Sequence, residues 1–353
     1  MPRPMQYAIT RDGVRIAYMS LGNGPAVVWA SNIFGDLSGY LGGWPATKES
    51  TDRAVNQGWR VILYDVRGMG FSDRNVADVE LAARVLDVEA VVAALNLDRF
   101  ALAGVDIGAA TAAAYAAGHL ARVSQLILLS PWSCGAKYLA IPALRAAYAA
   151  EDASGRDRQL FANVLGSVAT SFQDPELVRP LTEGHLKATS PEGLAAYNAA
   201  NGRIDITELL PRVTVPTLVI HEPAFPFGSC ELCQEVATRI PGAEFLIVGD
   251  HSIAGRVHDE TVAGIDRFLR GDAATQTSPP ANAASADTVA PNGLTAREVQ
   301  ILRHVAGGAT NKEIAAEFHL AVSTVERHLV NVYSKIGARG RADAIAFALR
   351  HRL

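Results

Sequence analysis

Apolar positions recur along this chain with two different periods. Between residues 61 and 249, five short runs are apolar almost without interruption: VILYD at 61–65, FALAGV at 100–105, QLILLS at 125–130, TLVIH at 217–221 and EFLIVG at 244–249. A strand covered on both faces needs this composition, because both alternating sets of side chains meet apolar neighbours. Residues 81–95 and 109–119, between the runs, carry helical spacing. The alternation predicts a mostly parallel sheet wrapped by helices. YAIT at 7–10 and VRIAY at 14–18, joined across Arg11, Asp12 and Gly13, predict an antiparallel hairpin on one edge. Residues 134–205 break the pattern. They are Ala-rich and strand-poor, and predict a helical insertion over the C-terminal edge of the sheet.

Residues 271–291 show no apolar period and are dominated by Ala, Ser, Thr and Pro. Such a stretch is a flexible linker, too long for a loop inside a compact domain. It divides the chain into an α/β unit over 1–270 and a small all-α unit over 292–353. In the latter the period is helical. Thr295 with Glu298 forms a capping-box pattern, followed by Val299, Leu302, Val305 and Ala306 on one face, and Gly307-Gly308 ends the helix. Thr310 with Glu313 opens a second helix with Ile314, Ala315 and Phe318 inward. Ser323 with Glu326 opens a third, whose buried stripe is Val325, Leu329, Val332 and Ile336. A last helix runs from Arg341 to about Arg350.

The composition sharpens this division. At 353 residues, 49% of them apolar and 19% charged, the chain is long enough for two domains and can bury a sizeable core. The net charge of −4 is unevenly shared. Residues 292–353 hold nine Lys or Arg and five acids, a net +4, which leaves −8 for residues 1–291. A basic tail on an acidic body suits phosphate contact at one end only. Three cysteines, no leader-like apolar core near Met1 and no apolar run of membrane-spanning length point to a reducing, cytoplasmic setting without membrane contact.

Two sets of motifs carry family resemblances. Over about residues 5–270, Asp65-Val-Arg-Gly-Met-Gly-Phe-Ser-Asp73, the elbow Gly104-Val-Asp-Ile-Gly108 and His251 after the last strand resemble the α/β-hydrolase fold, with 134–205 as its helical cap. Over 292–353, the order LTARE, TNKEIA and STVERH resembles the LuxR-type helix-turn-helix. Together they resemble bacterial regulators that join these two domains. The hydrolase resemblance puts Asp106 at the nucleophile position, His251 at the general base, and the Ile107 amide at one oxyanion donor. A second donor, the Ile33 amide, comes from the loop holding Asn32. Trp132 and other aromatics beyond strand ends are candidates to line a ligand pocket. Asp65, Arg67 and Asp73 read as structural hydrogen-bonding residues.

The departures from the hydrolase pattern are as informative. Aspartate stands at 106 where serine is usual. The resemblance then implies an Asp-nucleophile hydrolase of dehalogenase or epoxide-hydrolase type, forming an alkyl ester. Yet Ile107 supplies neither halide nor carboxylate recognition. Only Glu222 stands near the place of the acid that would orient His251, and without that acid the base is weakened by orders of magnitude. The first expectation is therefore a retired catalytic scaffold that binds a small-molecule effector; an active Asp-nucleophile hydrolase is the alternative. Cys230-Glu-Leu-Cys233 offers a third reading, a thiol or metal sensor, but one such pair gives two ligands where a structural zinc site needs four. No metal and no cofactor is expected.

For the tail, the resemblance makes the third helix the recognition helix. Arg327 suits a bidentate contact with guanine, and Glu326 and Val330 face the groove by resemblance. Thr310, Asn311, Lys312, Ser323, Thr324, His328, Asn331 and Lys335 complete the candidate DNA contacts, Thr310, Asn311, Lys312, Thr324, His328 and Lys335 being placed for backbone phosphates. The partners expected are a double-stranded operator, a small-molecule effector and a second copy of the chain, since one such module makes few base contacts.

Overall fold

The computed structural model describes residues 4–30, 36–42, 45–142, 144–145, 162–164, 166–167, 175–223, 225, 227–248, 259–271, 296–306, 309–317, 325, 329, 332–333, 336, 338 and 341–351. The chain forms two compact units, Met1–Thr275 and Gln276–Leu353.

The first unit is built on an eight-stranded sheet. Its strands are β1 (Gln6–Ile9), β2 (Arg15–Leu21), β3 (Ala26–Ala30), β4 (Arg60–Tyr64), β5 (Phe100–Val105), β6 (Val123–Leu129), β7 (Thr217–His221) and β8 (Glu244–Ile247), in the order β1-β2-β4-β3-β5-β6-β7-β8. β1, β2 and β4 pair antiparallel, and every other pairing is parallel. The expected hairpin is the β1–β2 pair at one edge.

The near-continuous apolar runs have a simple cause. Successive strand residues point to opposite faces, and both faces are covered. Val28, Ile62, Leu102, Leu126, Leu128 and Val219 join one buried cluster with Val88, Val91 and Val236. Their neighbours Val27, Val61, Leu63, Ala101, Ile127, Leu218 and Ile220 join the other with Leu37, Trp59 and Leu269. The first layer is helices Leu81–Ala94, Ile107–Gly118 and Cys230–Arg239; the second is Asp36–Leu41, Pro45–Asn56 and Asp259–Arg270.

Asp65 falls just outside β4, where the sequence pattern had included it. Its buried carboxylate accepts from the backbone amides of Ser38 at 3.0 Å and Phe71 at 2.9 Å, which ties the strand end to the following turn. Arg67, fully buried, donates from Nε to Asp87 at 2.8 Å and from Nη1 to Asp12 at 2.6 Å. Asp73 accepts from the Arg15 amide at 2.9 Å. These three residues hold the ends of β2 and β4 together.

The insertion is helical where it is described, in Gly135–Leu139, Pro175–Ala188 and Pro191–Arg203. An isolated antiparallel bridge between Cys134 and Asp205 closes its base. Among the described residues no helix is long and apolar enough to cross a membrane.

In the second unit, helices Ala296–Ala306, Asn311–Glu317 and Arg341–Arg350 are described, and residues 325, 329, 332, 333 and 336 are helical. Two small clusters hold the unit together. Ile301, Val305, Ile314, Val325 and Leu329 form one; Val299, Leu302, Val332, Ala344 and Phe347 form the other. The apolar stripes of the sequence meet here. Val325, Leu329 and Val332 are buried one helical turn apart, and Ile336 packs beside them. Thr295, Glu298 as a cap partner, Phe318 and Ser323 lie outside what the structure describes.

Candidate functional site

The elbow follows from local sequence. β5 runs directly into helix Ile107–Gly118, and Gly104 has no side chain because a Cβ there would meet the Gly108 carbonyl group and the Ala109 nitrogen within 2.6–2.8 Å. Asp106 sits at the turn with φ 53° and ψ −117°. A non-glycine residue in this region costs on the order of 1–3 kcal/mol, which the surrounding structure must offset. Its amide donates to the Leu129 carbonyl at 2.9 Å, fixing the turn against the end of β6.

Both oxygens of the Asp106 carboxylate are taken. Trp132 Nε1 donates to Oδ1 at 2.9 Å, and the Tyr138 hydroxyl donates to Oδ2 at 2.8 Å. The two rings stack at 4.7 Å between centroids with 17° between planes. Trp132 follows β6 directly, whereas Tyr138 lies in the first helix of the insertion, so the cap is bonded to the elbow. All three residues are buried. Burial raises the Asp106 pKa to about 7 against the opposing pull of Trp132, Tyr138 and the Ile107 amide. The sequence marked Asp106, Ile107 and Trp132 but not Tyr138. A single tyrosine in an Ala-rich helical stretch carries no signal of a partner 32 positions earlier.

Glu222, just beyond β7, accepts a hydrogen bond from the buried Thr261 hydroxyl on helix Asp259–Arg270. This bond ties the strand end to that helix. His251, Asn32 and Ile33 lie outside the described residues. Next to the same strand end, Cys233 Sγ lies 3.8 Å from His221 Nδ1, with both side chains buried. Burial pushes the Cys233 thiol up to about 12 and raises that of Cys230. Cys233 is buried and Cys230 is partly exposed. The three cysteines are free, and among the described residues no group of three or more His, Cys, Asp or Glu is placed to hold a metal.

In the second unit the capping box at the start of helix Asn311–Glu317 is formed in full. The Glu313 amide donates to Thr310 Oγ1 at 3.3 Å, and Glu313 Oε2 accepts from the Thr310 amide at 2.7 Å and its hydroxyl at 2.8 Å. Those bonds hold the Glu313 carboxyl below its usual range. Asn311 Oδ1 accepts from Arg341 Nη1 at 3.1 Å, and Arg341 Nη2 also donates to the Ala309 carbonyl. Asn311 thus has a partner inside the domain, which the sequence did not reveal. Lys312 and Thr310 are exposed. Ser323, Thr324, Glu326, Arg327, His328, Val330, Asn331 and Lys335 lie outside the described residues.

Two family models match the chain. The alpha/beta hydrolase fold matches residues 37–221, and the bacterial regulatory proteins of the luxR family match residues 292–348. The response regulator protein VraR of Staphylococcus aureus is 40% identical over 60 residues, 17% of this chain and 29% of that protein; the VraR of Staphylococcus epidermidis gives the same values. The chain therefore spans less than a third of these relatives. Among solved structures, the esterase RhEst1 from Rhodococcus sp. ECU1013 has a TM-score of 0.64 at 21% identity, covering 76% of this chain and 99% of that one. A thermophilic esterase from Thermogutta terrifontis has a TM-score of 0.62 at 21% identity, covering 76% and 99%. The enol-lactonase from Burkholderia xenovorans LB400 has a TM-score of 0.61 at 21% identity, covering 75% and 100%. At these identities the likeness establishes the fold.

Proposed function

Since the chain belongs to the alpha/beta hydrolase fold family and carries a luxR-family regulatory domain at residues 292–348, we propose that it is a DNA-binding transcription regulator whose hydrolase-fold unit receives a small molecule without turning it over. One observation carries the second half of this reading: both carboxylate oxygens of Asp106 are hydrogen-bonded by Trp132 and Tyr138. An aspartate nucleophile attacks as the ionised carboxylate, with an oxygen lone pair directed at the substrate carbon. Here burial favours the neutral acid up to about pH 7, and the cap occupies the second oxygen. Glu222, the acid nearest the orienting position, is engaged by Thr261.

In this reading the effector acts where the cap meets the elbow. A ligand that binds better when Tyr138 leaves Asp106 shifts the cap between two arrangements by its differential affinity for them. His251, Asn32, Ile33, Ile107, Trp132 and Glu222 are the other residues assigned to that site. The tail binds duplex DNA, with Arg327, Glu326 and Val330 reading bases, and Lys312, Lys335, Thr310, Thr324 and His328 contacting phosphates. Two copies bind together on paired half-sites, in the cytoplasm. The stretch 271–291, rich in Ala, Ser, Thr and Pro, transmits geometry poorly. That favours control through dimerisation or masking of the tail over a rigid lever.

The test is intact mass spectrometry after incubation with haloalkanes, epoxides and esters. The expected result is unmodified protein. An ester adduct at Asp106 that forms and clears would replace the receptor reading with an active Asp-nucleophile hydrolase.

A further inference from the structure

A second buried polar group lies beneath the cap, on the helix Leu81–Ala94 that follows β4. Arg84 is 1% exposed, yet among the described residues no carboxylate is paired with it. Nε donates to the Val79 carbonyl at 2.7 Å and Nη1 to the side-chain oxygen of Asn201 at 2.8 Å. The guanidinium lies 4.5 Å above the Tyr197 ring. Its Nη2 and the Asn201 side-chain nitrogen, flanking the same hydrogen bond, have no acceptor among the described residues. The nearby acids are engaged elsewhere. Asp87 accepts from the Nε and amide of Arg67 at 2.8 and 3.0 Å, and Glu80 is paired with Arg203. Burial lowers the pKa of Arg84. A buried cation served by neutral acceptors and one ring is left short of its natural partner, an anion.

We propose that Arg84 and Asn201 form a closed carboxylate-binding site, in which the Asn201 amide oxygen holds the place of a ligand carboxylate. This rests on the reading that the hydrolase-fold unit receives a small molecule, and it names that molecule's class: a monocarboxylate with an apolar or aromatic body. The incoming carboxylate displaces the Asn201 oxygen, accepts from Nη1 and Nη2 side by side, and leaves the Asn201 nitrogen free to donate to it. Two parallel bonds between opposite charges replace one bond from the cation to a neutral acceptor. The body of the ligand meets aromatic and aliphatic groups, Tyr197 and Leu139 among them. Binding moves helix Pro191–Arg203, and that helix abuts the element that closes Asp106. The backbone carbonyl of Asn201 fills the space where Gly135 lacks a side chain, and Gly135 begins the helix that carries Tyr138.

Two substitutions in the full-length chain, and two simple probes, test the site. Asn201→Asp keeps the shape and supplies a tethered carboxylate. It is expected to raise the Tm of the hydrolase-fold unit by about 2–4 °C. Arg84→Met keeps the stem and removes the charge, and serves as the control that lacks the guanidinium. Millimolar hexanoate or benzoate, against hexanamide or benzamide at matched ionic strength, is expected to raise the Tm of the wild type and of neither variant. A fall in Tm for Asn201→Asp would overturn the proposal. So would the absence of a carboxylate shift in the wild type, or an equal shift in Arg84→Met. Duplex binding is measured on the same samples. Arg84-dependent stabilisation by carboxylates with unchanged duplex affinity would uphold the site and remove the claim that its occupancy controls the tail.

Discussion

Replacing Asp106 by Asn makes the state of the elbow measurable. The folded chain holds the Asp106 proton up to about pH 7, while the unfolded chain releases it near its ordinary value of 3.8. Between those values the folded state binds more protons than the unfolded one. The free energy of unfolding therefore falls as pH rises through that window, and the loss is complete above pH 7. A separation of about 3 units corresponds to on the order of 4 kcal/mol. Asn removes the titration and keeps the shape. Its oxygen still accepts from Trp132 Nε1, and the Tyr138 hydroxyl, a donor at 2.8 Å in the native pair, rotates to accept from the new amide. Asp65, which burial holds up to about 6, titrates in the same range in both proteins and cancels in the difference. Urea unfolding of wild type and Asp106→Asn, followed from pH 4 to 8, reads that difference. Near pH 4, at the bottom of the window, the two are expected to be nearly equal in stability. By pH 8 the variant is expected to be more stable by a few kcal/mol. Curves that stay parallel with pH would show that Asp106 titrates normally and is open to solvent, and the closed-elbow reading would fail.

Other consequences concern the tail. Arg327→Ala is expected to relax operator preference by about 1–3 kcal/mol in competition binding with mismatched sites. Lys335→Ala is expected to weaken all duplexes alike and to flatten the salt dependence of affinity. An equal loss of specific and random binding in Arg327→Ala would reverse these base and phosphate roles. Thr310→Ala removes one side of the capping box and is expected to cost about 1 kcal/mol of tail stability, read as a lower melting transition for that unit with the hydrolase-fold transition unmoved.

The large features of the fold were legible because they rest on periodicity. Strands covered on both faces leave runs such as TLVIH at 217–221, and all five of those residues lie in the interior. The tail helices were legible through caps and stripes, and Thr310 with Glu313 forms the expected box. What sequence did not reveal is pairing between distant polar side chains. Tyr138 meets Asp106 across 32 positions and Arg84 meets Asn201 across 117, and no local pattern encodes either contact. Asn311 is a further case in the tail: its side-chain oxygen accepts from Arg341, 30 residues on, and no local pattern encodes that contact. Strain was half visible. The glycines around 106 signalled a tight elbow, but the left-handed backbone of Ser130 at the end of β6, φ 44°, had no sequence marker.

The most direct test is selection of duplexes from a random-sequence library by the full-length chain at low ionic strength, repeated with Arg327→Ala. Enrichment of one paired half-site motif by the wild type, lost in the variant, is the predicted result. Failure of the full-length chain to retain any duplex above background at low salt would contradict a transcription regulator at its foundation.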